Sequence, residues 1–393
     1  MSGPRAGDLC EVTRRDKSPG DSGTIWCLAL LPFFCANQRS TMKTFSLLRT
    51  LILSLALLAS VPSFAAVKKE FNVCWTIYAG WMPWGTIANE KIIDKWANKY
   101  GIKINIVQLN DYIESINQYT AGQFDGCTMT NMDALTIPAA GGVDSTALIT
   151  GSYSEGNDGI VLKGVNKKLS DLKGMSVYLP ALSVSHYLLV RGLEKAGLQE
   201  KDVKVVNTSD ADIVSAFGTS GVKAAVAWNP QLSVIKKSPQ TTEVFSSSAV
   251  PGELIDMMVV NTETLHDNPA LGKALTGAWF EMMAKMQAGD SQALSAMAAD
   301  SGTDLAGYQA QLKTTHLFPT PAATEAFVAS PDLAKTMQRV AAFSFDKGLL
   351  GEGAQSADFI GMAFPGNQTL GDKANIRLRF DDSYLKMAAA GQL

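Results

Sequence analysis

Two groups of residues in this chain could do chemistry together. The segment Cys74-Trp75-Thr76-Ile77-Tyr78-Ala79-Gly80-Trp81-Met82-Pro83-Trp84 ends a β-type run in a glycine and places Tyr78, Trp81 and Trp84 close to one another. Aromatics this dense on a loop are hard to hide in a core. They suit a pocket wall that holds something flat or cationic against ring faces. The second group is acidic. Asp133, Glu155, Asp158 and Asp256 lie near expected helix starts and links, in segments without Arg or Lys. Bare helix starts attract anions. Carboxylates facing rings describe instead a pocket for a small cation or a strong hydrogen-bond donor.

The elements that must position these residues alternate between strand and helix. Strands are expected at 71–78, 102–108, 126–130, 147–150 and 160–163, with helices at 87–100 and 112–121 and another from Asp133 until Gly141-Gly142 breaks it. A second set follows: strands at 176–179, 203–207, 224–228 and 242–245, and helices at 183–196 and 211–217. After a strand at 257–261 the pattern turns almost wholly helical, at 269–287, 291–301, 305–314, 320–329 and 331–347. The helices at 269 and 331 open on proline behind Asn268 and Ser330, which suit caps. The expected fold class is α/β: a two-lobed clamshell, each lobe a mainly parallel sheet flanked by helices, with a helical C-terminal tail. The expected lobes are residues 66–158 plus 254–393, and 159–253. Their connections fall near 155–160 and 250–258.

A ligand cleft between such lobes lies at the carboxyl ends of strands. The expected binding residues are therefore Tyr78, Trp81, Trp84, Asn131, Asp133, Glu155, Asp158, Ser183, His186, Trp228 and Asp256. Duller roles compete at several of them. Asp133 suits a helix cap as well as a ligand contact. Glu155 and Asp158 suit a solvated turn, since Gly156-Asn157-Asp158-Gly159 is a turn signal. His186 suits a hydrogen bond at a helix start, and Ser183 suits a cap and a contact at once. Trp96 and Trp279 fit a core. Trp81 and Trp84 fit the pocket, because Pro83 between them speaks against a regular element.

Other chemistries are poorly represented. The sequence has no Gly-x-Ser-x-Gly elbow, no phosphate-cradling glycine loop with lysine and no His-Glu-x-x-His, so no catalytic residue or cofactor is expected. His186, His266 and His316 are scattered and show no metal-ligand spacing. The formal net charge of −3 argues against a polyanion-binding surface such as one for nucleic acid. The 46% hydrophobic content suits a well-packed globular chain, and a mature length above about 300 residues exceeds what one core covers, so two domains are expected.

An export signal reads from Met42: Lys43 and Arg49, an apolar stretch at 51–59, then Ser63-Phe64-Ala65 before the expected cleavage. Residues 1–41 hold Cys10, Cys27 and Cys35 and are expected to be an upstream start with no biological role. The mature chain keeps Cys74 and Cys127 in apolar β-type runs. A disulfide between neighbouring strands fits an oxidising compartment; two buried thiols acting as small apolar residues are the commoner outcome.

With these segments in hand, the chain resembles the substrate-binding proteins of ABC importers, of the nitrate/taurine (NitT/TauT) type. The segments at 73–84, 117–122 (Asn-Gln-Tyr-Thr-Ala-Gly), 128–134 (Thr-Met-Thr-Asn-Met-Asp-Ala) and 156–161 (Gly-Asn-Asp-Gly-Ile-Val) resemble the subgroup associated with urea carboxylase systems. The resemblance implies a periplasmic, monomeric, non-enzymatic protein that captures a small nitrogen-rich solute and delivers it to an ABC permease in the inner membrane. The subgroup implies urea or guanidine, and the acids favour guanidinium, a flat cation that donates hydrogen bonds around its whole edge. Urea or a short amide is the alternative ligand. The same fold hosts pyrimidine-precursor synthases, whose cysteine-rich motif and active-site histidines are not found here.

Overall fold

The computed structural model of the chain describes residues 68–393. The expected signal peptide and the upstream extension lie outside the described residues. Strands β1 Glu70–Thr76, β2 Lys103–Leu109, β3 Gly126–Thr130, β4 Ser145–Ser154, β5 Asp158–Lys163, β6 Ser176–Leu179, β7 Lys204–Asn207, β8 Ala224–Trp228, β9 Thr241–Ser246, β10 Ile255–Asn261, β11 Thr315–Leu317, β12 Gly361–Phe364, β13 Gln368–Leu370 and β14 Ile376–Phe380 build two sheets. The larger runs β13-β12-β14-β4-β10-β3-β1-β2, with β11 beside β4. The smaller runs β7-β6-β8-β5-β9. The fold is thus an α/β clamshell of two sheet-based lobes.

Both sheets are mixed rather than parallel throughout. β1 pairs in parallel with β2 and β3, but β10 runs antiparallel to both β3 and β4. In the smaller sheet β5 runs antiparallel to β8 and β9. The reason is connectivity. The chain leaves the larger sheet along β4, enters the smaller one along β5 and returns along β10. Each crossing strand enters its sheet from the cleft side, against the direction of its neighbours. The central strands are buried on both faces, β3 and β8 along their whole length, and so read as continuous apolar runs.

Several local expectations change. One helix at 87–100 becomes two, Met82–Asn89 and Ile92–Lys99, separated where Lys91 takes φ 57°. Pro83 does not prevent a regular element. It occupies the first turn of the first of these helices, where a missing N–H costs nothing and the fixed φ already fits. The C-terminal region is helical through Pro331–Asp346 and then adds β12, β13 and β14 to the edge of the larger sheet. These strands are short and separated by glycine-rich turns, so their alternation is weak. Helix Pro269–Gln287 is the longest. It buries Trp279, which stacks on Trp84 at 5.1 Å. Gly151 on β4 admits that indole, since a Cβ there would sit 2.7 Å from Trp279 Cζ2.

Cys74 on β1 and Cys127 on β3 face each other as register partners and form a disulfide, with Cα atoms 4.4 Å apart. The commoner outcome of two buried thiols does not hold here, because parallel neighbours at one register bring the two sulfurs together. The bond closes a loop over a sequence separation of 53. Loops of this size are stabilised by about 2–4 kcal/mol. Reducing the bond, or replacing Cys127 by serine, should lower the thermal midpoint of the mature protein by roughly 3–6 °C. Scanning calorimetry with and without reductant checks this, and an unchanged midpoint would mean the cysteines are unpaired.

Candidate functional site

Strand ends from both lobes meet around one small cavity. Tyr78, Trp81, Tyr112, Thr130, Asp158, Val184, Trp228, Leu254 and Asp256 line it. Its volume is about 10 Å³, close to the least space that holds a single water molecule, so a larger guest enters only as the walls part. The lobes are drawn together over it. Ala79 N–H donates to the Asn229 carbonyl at 3.1 Å, and the Trp228 indole donates to the Ile77 carbonyl at 3.4 Å.

The walls are aromatic. Tyr78 meets Trp81 edge-on at 5.0 Å, Trp81 lies 5.6 Å from Tyr112, and Tyr112 meets Trp228 edge-on at 5.5 Å. Four rings thus form the aromatic part of the wall. Gly80 makes the bend between Tyr78 and Trp81 feasible. A Cβ there would lie 2.8 Å from both Ser152 Oγ and Tyr78 Cε1.

Three carboxylates complete the site, and hydroxyls hold two of them, Asp256 and Asp133. Asp256 Oδ2 accepts from Ser152 Oγ at 2.6 Å and Tyr78 Oη at 3.1 Å. Asp133 Oδ2 accepts from Tyr112 Oη at 2.6 Å and Thr130 Oγ1 at 2.7 Å, and the Tyr112 hydroxyl in turn accepts from Thr130 N–H. Asp158 opens β5 beside Ser154, whose hydroxyl accepts from the Asp158 N–H at 3.1 Å. All three acids are buried. Asp133 Oδ1 and the Trp81 indole N–H have no partner among the described residues.

No Lys or Arg lines the cavity. Two other buried acids, Glu253 and Asp125, have basic partners. Glu253 accepts from Arg191 at 2.8 Å and Arg339 at 2.7 Å, and Asp125 pairs with Lys68 at 2.6 Å. A carboxylate buried without a cation costs several kcal/mol if ionised, so it takes up a proton instead. Burial accordingly pushes Asp133 up to about 6, against the downward pull of Tyr112, Thr130 and the Val184 N–H. Burial pushes Asp158 up to about 7, with Asp133 adding to the rise, and holds Asp256 well above the usual carboxylate range.

Of the expected site residues, Tyr78, Trp81, Asp158, Trp228 and Asp256 line the cavity, and Asp133 stands directly behind Tyr112 and Thr130. Asp133 is not a cap. Thr130 caps that helix, and the Asp133 side chain turns toward Tyr112. The others lie elsewhere. Trp84 sits behind Trp81, stacked on Trp279. Asn131 braces the return crossing, accepting from Ile255 N–H and donating to the Glu253 carbonyl. Glu155 is exposed and faces His316 at 3.6 Å. Ser183 caps helix Val184–Lys195, and the His186 ring accepts from Leu182 N–H and faces Glu200. Tyr112, Thr130, Val184, Leu254 and the supporting Ser152 were not expected. Tyr112 opens a helix just after β2, a strand-end position that could have revealed it.

These raised carboxylates set a sign for stability against pH. A group whose folded pKa exceeds its unfolded value contributes stability below the unfolded pKa and loses it as pH rises through the folded one. For Asp158 that window runs from about 4 to about 7. Without ligand, Asp158→Asn should therefore be more stable than the parent above pH 7 by a few kcal/mol and should nearly match it at pH 4. Urea denaturation at both pH values checks this. An equal or larger gain at pH 4 would contradict the assigned ionisation.

Comparison with known proteins agrees with the architecture. The family model described as NMT1/THI5 like matches residues 95–288. A putative binding protein of Brucella abortus (strain 2308) is 27% identical over 216 residues, 54% of this chain and 62% of that one. The chain thus spans about three-fifths of that relative's length. The taurine-binding periplasmic protein of Escherichia coli (strain K12) is 24% identical over 144 residues, 36% of this chain and 44% of that one. Among solved structures, the alkanesulfonate-binding protein from Xanthomonas axonopodis pv. citri bound to MOPS superposes with a TM-score of 0.60 at 16% identity. It covers 73% of this chain and 96% of its own. These matches support the nitrate/taurine-type resemblance and bear on no urea or guanidine subgroup.

Proposed function

We propose that this chain is the periplasmic solute-binding protein of an ABC importer and that its solute is guanidinium or a close relative. The general part rests on the clamshell fold together with relatives named as binding proteins, one of them periplasmic. Capture between two lobes, then release to a membrane permease, is the activity that such a pair of lobes serves. The disulfide suits an oxidising compartment.

The ligand is proposed from one observation: Asp133, Asp158 and Asp256 gather at a cavity with no Lys or Arg in its wall. An alkanesulfonate or taurine sulfonate brought there would meet carboxylates with no cation to offset them. A guanidinium ion supplies the missing positive charge. It is planar, so a ring such as Trp81 can cover its face, a contact worth about 0.5–2 kcal/mol. Its N–H groups point outward in its plane, toward acceptors in the wall such as the Asp158 and Asp256 carboxylates. Tyr78 and Tyr112 already donate to Asp256 and Asp133, which leaves the remaining carboxylate lone pairs for the guest.

Urea is the second reading, favoured by the unpartnered Trp81 indole N–H. Urea could accept from that donor, whereas guanidinium has no acceptor to offer it.

Calorimetric titration of residues 66–393 with guanidinium, urea, nitrate and taurine separates these readings. Guanidinium should bind tightest. Asp256→Asn should weaken it by about 100-fold, the equivalent of about 3 kcal/mol for one charged hydrogen-bond partner. Trp81→Ala should weaken it by about tenfold or more. Preference for urea would move the assignment to the second reading, and preference for taurine or nitrate would overturn the cation pocket.

A further inference from the structure

Six acids are buried among the described residues: Asp125, Asp133, Asp158, Asp210, Glu253 and Asp256. Two have basic partners and three belong to the cavity. Asp210 is the sixth. It follows β7 in the smaller lobe and does not line the cavity. Its Oδ1 crosses to the larger lobe and accepts from the backbone N–H of Tyr112 at 3.1 Å. Tyr112 is the first residue of helix Tyr112–Thr120, and its hydroxyl donates to Asp133. One residue of the larger lobe is therefore gripped at both ends, by Asp210 at its backbone and by Asp133 at its hydroxyl.

We infer that Asp210 is a latch, a positioning residue that forms its bond to the Tyr112 N–H only when the lobes are closed and so slows release of the bound solute. The inference rests on the solute-binding reading. Its geometry explains why a carboxylate is buried at a place with no cation. A helix start offers free N–H groups and a positive dipole end, which suit an acidic acceptor. Asp111 already caps this helix by accepting from Glu114 N–H, so Asp210 is not needed for helix formation. Burial pushes Asp210 up to about 6, with nearby Asp111 adding to the rise. The N–H groups of Tyr112, Asp210 and Ala211 pull it back down.

A contact present in only one of two states shifts the balance by its differential free energy. Losing Asp210 should therefore favour the open form and leave the larger lobe's own fold intact. The Tyr112 ring stays in the wall beside Trp81, since its hydroxyl is held within the larger lobe by Asp133 and Thr130. The consequence falls on the rate of release rather than on encounter, because the bond forms after the solute has entered.

The test compares the parent with Asp210→Ala and Asp210→Asn. Guanidinium release is followed by stopped-flow tryptophan fluorescence, and the separation of spin labels on the outer faces of the two lobes is measured with and without guanidinium. Asp210→Ala should release guanidinium about tenfold faster, with an association rate within about twofold of the parent. Asp210→Asn keeps an acceptor oxygen and should recover most of the difference. The ligand-free parent should populate the short inter-lobe separation more than Asp210→Ala does. Equal release rates, or an Asn variant no better than Ala, would overturn the latch. Should guanidinium fail to bind the parent, the solute assignment falls while the distance measurement still judges the latch: identical ligand-free separations in parent and Asp210→Ala would refute it.

Discussion

The structure turns on the burial of three carboxylates with no protein cation to neutralise them. Asp133, Asp158 and Asp256 are each removed from water; hydroxyls hold Asp133 and Asp256, and no Lys or Arg lines the cavity. Hydroxyl donors orient a carboxylate and offset part of its lost hydration, but they do not cancel its charge. The balance falls to a proton or to a cationic guest. Glu253, with two guanidinium partners, shows that the same chain neutralises a buried acid where it needs only a firm joint.

The rest of the fold can be understood as the scaffold for that imbalance. β3 ends at Thr130 and delivers Asp133; β5 begins at Asp158; β10 carries Asp256 between β3 and β4. Two of the acids thus lie at strand starts in different sheets and one in the short helix after β3, and they meet only because the chain crosses between lobes twice. Reversed strand direction at the crossings puts β5 and β10 termini at the cleft. The aromatic wall likewise draws on both lobes, with Tyr78, Trp81 and Tyr112 from one and Trp228 from the other. A site divided in this way exists only when the lobes are together, so the proposed solute capture is tied to closure.

Much of this was legible in the sequence, because strand ends are marked by local pattern. The β-type run before Tyr78, the apolar run before Asp133 and the stop at Trp228-Asn229-Pro230 placed their residues at the cleft. What failed depended on contacts made far away in sequence. Trp84 looked like a pocket residue because Pro83 suggested an irregular loop, yet proline is at home in a helix's first turn, and the partner that draws Trp84 inward, Trp279, lies on a distant helix. Asn131, Ser183 and His186 sit at strand and helix ends near the cleft but spend their polar atoms on the backbone. Tyr112 was missed because its role needs Asp133 and Asp210, one from each lobe. The pairing of Cys74 with Cys127 required the register of β1 on β3, which no local pattern states.

The measurement that bears most directly on the central claim is a proton count. Guanidinium binding is measured calorimetrically at pH 6.5 in several buffers of different ionisation enthalpy, and the slope gives the protons exchanged per solute bound. If the carboxylates hold protons in the free cavity and exchange them for a cation, binding releases protons, and affinity falls as pH is lowered from 7 to 5. No proton release, together with affinity that is flat or rises toward acid pH, would show that these carboxylates do not receive the solute's charge.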